Sequence, residues 1–363
     1  MPGLTTPRGL AKWSCAIRSK IILLAVFALV MGGISCGGGG NSGSSTPAIE
    51  TVFTNYHLTG AVDPVRDPTV IRQNNTYYAF STDTGAPVSG NLPILCSPDR
   101  VSWSWCGSVF TQIPPWVMQA VPGILGLWAP DISYFNGLYH VYYAASTFGS
   151  NTSVIGMATN STLDSTDPNY QWVDQGEVLA SNSSDDFNAI DPNILVDTDG
   201  SVWLTYGSYW SGIKQQQIDP ISGALLSSNP TVYSLAYRPN VQYDPIEGTS
   251  LVHKDNYYYL FASFDNCCDA NPYQDTYRIM VGRGTSPNGP FVDMNGTDMM
   301  QGGGTQLLAG DGVTFSGPGG ETAYLDSVNG DMIVFHAIHL PDGTPYLFCN
   351  SLTWTDGWPQ IQP

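Results

Sequence analysis

Charge is what this sequence has least of. Only 12% of its 363 residues are Asp, Glu, Lys or Arg, about half the ~25% common in globular domains. Bases are scarcer still, with 12 Lys and Arg against 30 Asp and Glu for a net charge of −18. That argues against a nucleic-acid partner, because the phosphate backbone is bound through Lys and Arg. It argues equally against adsorption to anionic lipid through a basic patch. The 7 cysteines contain no Cys-x-x-Cys pair, so a thiolate zinc site is not expected. The apolar run at 21–35 is too short for a membrane span, which needs ~20 residues. No long segment after it carries apolar residues at a 3.6-residue period. What is plentiful is Gly (39), Pro (26) and Tyr (20), with 42% hydrophobic and 12% aromatic residues. A sizeable core can be buried, and the composition is that of a turn-rich β protein rather than a helical bundle.

The first segment reads as a targeting signal. Residues 1–20 carry Arg8, Lys12, Arg18 and Lys20 and no acid, and the short apolar run follows. A basic region before such a run is the pattern of a secretory signal, here 1–35. The run ends at Gly33-Ile34-Ser35-Cys36, and a small residue before a Cys resembles a bacterial lipoprotein cleavage site, with Gly33 where Leu is usual. Cys36 is therefore the expected lipidation site, with ordinary secretion as the alternative. Residues 36–50, rich in Gly and Ser, read as a flexible linker. Export permits disulfides among Cys96, Cys106, Cys267, Cys268 and Cys349. Cys96 and Cys106 flank a short turn-like loop and could pair, adjacent Cys267 and Cys268 could form a vicinal bridge, and an odd count leaves at least one thiol free.

A repeat organises residues 51–363. A short apolar strand, a polar turn and a strand rich in Tyr, Trp and Phe recur at 67–82, 129–147, 191–209, 247–264 and 321–340. The turns are Asn74-Asn75, Asn136-Gly137, Asp199-Gly200, Asp255-Asn256 and Asn329-Gly330, and Asn-Gly or Asp-Gly between apolar runs is a strong hairpin signal. The units start 62, 62, 56 and 74 residues apart, which leaves room for two further strands in each interval. Five four-stranded units predict an all-β, five-bladed β-propeller. A β-sandwich is the alternative, but it has no reason to repeat at this length. The innermost strand of each blade lines the central channel, so the first residue of each unit is expected near one mouth. Asp67, Asp191, Glu247 and Glu321 open four units, and Asp131 lies two places into the unit that begins at Ala129. Carboxylates distant in sequence are thereby expected to converge on one pocket. Clustered acids rimmed by aromatics suit a calcium site or glycoside hydrolysis, which needs a carboxylic acid and a carboxylate on opposite sides of the bond. Trp128, Phe148, Tyr209 and Trp210 could stack on sugar faces.

Arg66-Asp67-Pro68, Trp128-Ala129-Pro130-Asp131, Asn188-Ala189-Ile190-Asp191-Pro192 and Ile246-Glu247-Gly248 resemble the signature of glycoside hydrolase family 43, most nearly its arabinan endo-1,5-α-L-arabinosidases. Further similar segments are Ser146-Thr147-Phe148-Gly149-Ser150, Ser208-Tyr209-Trp210, 263–268, 277–283, Gly302-Gly303-Gly304-Thr305 and Asp356-Gly357-Trp358-Pro359. The resemblance runs from about Tyr56 to the C-terminus. It implies a five-bladed propeller that cleaves arabinan with inversion. Asp67 would then be the general base, Glu247 the general acid, and Asp191 the group that raises the pKa of Glu247 and holds its orientation. In an inverting enzyme base and acid stand about 6.5–9.5 Å apart. Substrate contacts would come from Asn188, Ala189, Ile190, Ser208, Tyr209, Trp210, Phe148, Gly149 and Trp128, with Ala189 and Ile190 offering only backbone.

Two positions depart from the resemblance. Arg66 stands where His is usual before the base. Gly317-Pro318-Gly319-Gly320 stands where Gly-Pro-Gly-His is usual, the His helping to hold a channel ion that is often calcium. The expectation is therefore an enzyme needing no cofactor and binding calcium weakly or not at all, with Glu321 the one adjacent oxygen donor. Its partner would be arabinan or arabino-oligosaccharides, and it would act as an exported monomer that touches a membrane only through a lipid anchor. The alternatives are an exo-arabinosidase or β-xylosidase of the same family, or a non-catalytic glycan-binding surface lipoprotein.

Overall fold

The computed structural model describes residues 49–268 and 270–363. The expected signal peptide, most of the expected linker and Cys36 lie outside the described residues. The first described element is a short helix, Ile49–Thr54, whose first two residues fall in the stretch read as linker. Its Phe53 stacks on Phe315 with ring centroids 5.5 Å apart, which seats the chain entry on the last blade.

The five repeats are five blades, each built from consecutive strands. Blade 1 holds Thr69–Gln73, Thr76–Phe80, Asn91–Ser97 and Ser102–Phe110, with Thr59–Gly60 added in parallel to the outer strand. Blade 2 holds Trp128–Phe135, Leu138–Ala145, Ser153–Asn160 and Val173–Ser181, and blade 3 holds Asn193–Val196, Val202–Tyr206, Ile213–Ile218 and Tyr233–Ala236. Blade 4 holds Ile246–Lys254, Tyr257–Phe264, Arg278–Gly284 and Thr305–Ala309, and blade 5 holds Phe315–Tyr324, Met332–His339, Thr344–Thr355 and Trp358–Ile361. The inner hairpins turn at the expected places. Asn74, Asn136 and Asp255 adopt φ of 55°, 49° and 56°, while Gly200 and Gly330 both take 85°. Positive φ at these residues gives the turn a twist that matches its strands.

The second strand of each blade is mostly apolar and buried along nearly its whole length, because both faces are covered by neighbouring blades. Five hydrophobic clusters accordingly fill the five blade-to-blade interfaces. The ring closes between blades 5 and 1 through Val70, Tyr77, Val334 and Leu347. Two backbone bonds reinforce that seam, Val65 N–H to the Pro345 carbonyl at 2.9 Å and Leu347 N–H to the Val62 carbonyl at 2.8 Å. Cys96–Cys106 and Cys267–Cys268 are disulfides and Cys349 is a buried free thiol.

The channel mouth repeats a backbone feature that the composition does not show. One residue per blade is left-handed there: Asp67 (φ 50°), Ala129 (26°), Asp191 (54°), Gly248 (58°) and Gly320 (56°). Strand pairing slips beside it in blades 2, 4 and 5, as bulges do where a side chain is re-aimed. Two residues on stand Thr69, Asp131, Asn193, Ser250 and Thr322, all polar. Four of them form a belt of cross-blade bonds one level below the mouth. Thr69 Oγ1 and Asn193 Nδ2 donate to Asp131 Oδ1 at 3.2 and 3.1 Å, and Ile194 N–H donates to Asp131 Oδ2 at 2.9 Å. Leu251 N–H donates to Asn193 Oδ1 at 2.8 Å, and Ala323 N–H to Ser250 Oγ at 3.1 Å.

Candidate functional site

The left-handed residues Asp67, Ala129, Asp191, Gly248 and Gly320 all line a cleft of about 940 Å³, with walls from all five blades. Asp67, Asp191, Glu247 and Glu321 line it together, as the repeat predicts. Asp131 does not. It sits at the belt position, two residues past the left-handed Ala129, where three bonds to blades 1 and 3 consume it. Burial pushes its carboxyl up to about 7. The four cleft acids are not equivalent either. Asp67 and Asp191 occupy the left-handed position, whereas Glu247 precedes Gly248 and Glu321 follows Gly320. A non-glycine residue held at positive φ is strained, and such strain gathers at functional sites.

Each carboxyl has its own company. Asp67 Oδ2 accepts from Thr82 Oγ1 at 2.6 Å, and the same hydroxyl oxygen accepts from Ala129 N–H at 2.7 Å. Asp191 Oδ2 accepts from Gly248 N–H at 3.1 Å, so it braces the turn that carries Glu247. Glu247 is gripped at both oxygens, by Ser208 Oγ on Oε2 and by the Tyr277 hydroxyl on Oε1. Glu321 Oε2 accepts from Ser263 Oγ at 2.7 Å while its Oε1 has no partner.

Burial is the main electrostatic influence. It raises Asp67, against the lowering charge of Arg66 and the Thr82 bond. It raises Glu247 from 4.5 to about 7, opposed by the Ser208 bond and the Arg66 charge and assisted by Asp67 and Asp275. Asp191 goes up through burial, then through repulsion from Glu247 and Asp67. The Glu247 charge thus disfavours ionisation of Asp191, as like charges in one buried site do. Glu321 is pushed to about 8 by burial. The cleft carboxyls are thus all raised, each by a different mixture of burial and neighbours, and such differences in environment are what separate acid from base roles.

Most of the expected substrate contacts reach the cleft. Trp128, Phe148, Gly149, Asn188, Ile190, Ser208, Tyr209 and Trp210 all line it. Phe148 is 81% exposed and Trp210 39%, so both present ring faces to a ligand. Ala189 is the exception. It is wholly buried, and its N–H goes to Ser181 Oγ at 2.9 Å, so it offers no contact. Asn188 is buried too, its Oδ1 accepting from Ser153 Oγ at 2.7 Å.

Four further residues line or support the site, and of these only Tyr277, which opens the family-like segment 277–283, stands out in the sequence. Thr82 and Tyr277 hold the carboxyls from the ends of neighbouring strands. Asp83 lines the wall, accepts from Leu92 and Leu127 N–H at 2.7 and 2.8 Å, and is raised by burial to about 6. His336 lies wholly buried on the second strand of blade 5, with its Nδ1 accepting from Asp67 N–H at 3.1 Å. A His inside an apolar strand was its one available signal.

A channel ion of the kind the resemblance implies does not fit these residues. Gly320 has no side chain to offer a ligand, and a Cβ there would lie 2.5 Å from Asp67 Oδ1, so Asp67 would have to shift to admit one. His336, the imidazole beside Asp67, has the Arg66 guanidinium 3.5 Å from its other nitrogen. Among the described residues no three His, Cys, Asp or Glu side chains are grouped to share a metal.

A five-bladed propeller with buried carboxyls crowded under an aromatic rim has the fold and the site of a glycoside hydrolase. The chain belongs to glycosyl hydrolases family 43, whose model matches residues 62–359. It is 41% identical over 297 residues to the extracellular endo-α-(1→5)-L-arabinanase 1 of Bacillus subtilis, covering 81% of this chain and 87% of that protein. It is 37% identical over 308 residues to the extracellular exo-α-(1→5)-L-arabinofuranosidase of Cellvibrio japonicus, covering 82% and 86%. Among solved structures, the α-L-arabinanase of Cellvibrio cellulosa complexed with arabinohexaose superposes with a TM-score of 0.76 at 36% identity, covering 84% of this chain and 96% of that one.

Proposed function

We propose that this protein hydrolyses arabinan, the α-1,5-linked chain of L-arabinofuranose, by single displacement with inversion, cutting within the chain. The observation that carries the reading is the shared cleft of Asp67, Asp191 and Glu247, each in a different environment. In this reading Asp67 is the base. It takes a proton from a water that attacks the anomeric carbon, and Thr82 fixes the carboxylate's direction. Glu247 is the acid and passes its proton to the leaving oxygen as the glycosidic bond breaks. Burial raises its pKa from 4.5 to about 7, which brings it towards the working pH, where proton transfer is well matched. Asp191 keeps the proton on the pair by like-charge repulsion. Phe148, Trp210 and Trp128 supply flat apolar surface for furanose rings. The chemistry requires no cofactor.

The test is release of reducing ends from linear arabinan, with early products sized. Internal cutting yields a spread of oligosaccharides from the first minutes. A single small product throughout would replace the endo reading with an exo one, and no release at all would remove the arabinan assignment.

Export rests on the basic and apolar pattern of 1–35 and on extracellular relatives. Lipid anchoring rests on Cys36 alone. Cys36→Ser is expected to move the protein from the membrane fraction to the medium, and unchanged partitioning would leave plain secretion.

A further inference from the structure

Five carboxyl groups line the cleft, those of Asp67, Asp83, Asp191, Glu247 and Glu321, and among the described lining residues Arg66 is the one Lys or Arg. Its guanidinium is docked below the rim. Nη1 donates to Cys268 Sγ at 3.1 Å, and the His336 ring nitrogen Nε2 lies 3.5 Å away. The vicinal disulfide Cys267–Cys268 thus backs it on one side and a fully buried imidazole on the other. The same imidazole takes the Asp67 N–H, so cation and carboxylate are positioned through one shared ring. A smaller cavity of about 360 Å³, walled by Pro272, Asp275, Ile338 and Asp342, meets the cleft at Arg66. The side chain therefore lines both spaces.

A guanidinium keeps its charge at every working pH. A metal ion would have to share this corner with it, and like charges at such range repel.

We propose that Arg66 is the positioning residue of Asp67 and the built-in cation of the cleft, taking the place and the electrostatic task that a bound metal ion would have. The proposal rests on the arabinan-hydrolase reading. The charges around it agree. Arg66 opposes the rise of Asp67 and of Glu247 and drives His336 further below its ordinary value. The other groups facing this cluster are the acids Asp191, Glu247, Asp275, Glu321 and Asp342, with the hydroxyls of Tyr277 and of Thr82, which bonds Asp67.

The experiment compares wild type, Arg66→Gln and Arg66→Lys. With ¹³C-carboxyl-labelled aspartate, the Asp67 resonance is assigned by its loss in Asp67→Asn. It is expected to titrate about 1 pH unit higher in Arg66→Gln and near the wild-type value in Arg66→Lys. On linear arabinan, both limbs of the kcat/KM profile of Arg66→Gln are expected to move to higher pH, with kcat falling more than KM rises. Exhaustive chelation of the wild type is expected to leave kcat and Tm unchanged. An unmoved Asp67 titration would overturn the proposal, as would a chelation loss reversed by calcium. If Arg66→Gln does not fold, the chelation arm and the Arg66→Lys titration still decide. A wild type that releases nothing from arabinan defeats the arabinan reading, whereas the resonance titration judges Arg66 without substrate.

Discussion

Gly320 lies against Asp67 so closely that a Cβ on it would be 2.5 Å from Asp67 Oδ1 and 3.0 Å from Asp67 Cα. Bare backbone from blade 5 is thus the floor under the carboxylate that opens blade 1. Its N–H is tied to Ser263 Oγ at 2.9 Å, so the floor is itself held.

Gly320→Ala tests that contact. The residue has φ of +56°, which already penalises a side chain, and the new methyl must displace Asp67. Strain at one such residue costs about 1–3 kcal/mol, and misplacing a catalytic group by ~1 Å costs about 10²-fold in rate. Tm is expected to fall modestly and kcat steeply. Equal activity would mean that Asp67 tolerates displacement and is not the base.

Asp67→Asn keeps an acceptor for Thr82 and leaves the size of the side chain unchanged. Folding and oligosaccharide binding are expected to persist while turnover drops by about 10²–10⁴-fold. Binding measured by calorimetry beside kcat separates the two effects, and near wild-type turnover would assign the base elsewhere.

Glu247→Gln removes the proton donor. It is expected to abolish cleavage of arabinan, whose leaving oxygen needs a proton, and to spare much of the activity on an aryl arabinofuranoside that leaves as an anion. Ser208→Ala removes a hydrogen bond that lowers the Glu247 pKa. The acid then stays protonated to higher pH, so the alkaline limb of the kcat/KM profile should move upward. Equal losses of Glu247→Gln on both substrates, or an unmoved limb in Ser208→Ala, would show that Glu247 is not the acid.

Stability should fall as pH rises through neutrality. Asp131, Glu247 and Glu321 have folded pKa values of about 7, 7 and 8, above their ordinary 3.8, 4.5 and 4.5. A raised folded pKa means that the native state holds a proton the unfolded chain has released. The stabilisation is complete below the unfolded value and lost as pH passes the folded one. His140 and His336 are lowered from 6.5 and act in the opposite sense, but only as pH falls below that value. The clean window is therefore pH 6.5–8, where Tm is expected to decline. Glu321→Gln keeps a neutral side chain on Ser263 and should flatten the decline, which calorimetric scans across the window would detect. A slope identical to wild type would mean that Glu321 is ionised in the fold.

The hairpin turns, blade number and four of the cleft acids were legible because they are local or periodic. Asn136-Gly137 makes a tight turn wherever it stands, and a unit recurring every 60-odd residues can bury its faces only against copies of itself. Family-like segments around Asp67, Asp191 and Glu247 named the chemistry for the same reason, since each is a short run with its own backbone shape. The remainder depended on residues that meet only when the ring closes. Asp131 and Asp67 look alike in sequence, yet a two-residue offset from the left-handed position puts one in the belt and the other in the cleft. Ala189 sits in a signature segment, but its packing against Ser181 withdraws it from the ligand. Arg66, His336, Cys268 and Gly320 are up to 270 residues apart, and no local pattern says that a guanidinium, an imidazole and a disulfide share one corner. Sequence periodicity sets which strands exist and which way they face. The electrostatics of the cleft depend on distances across the axis, and closure of blade 5 onto blade 1 creates the contacts around Asp67.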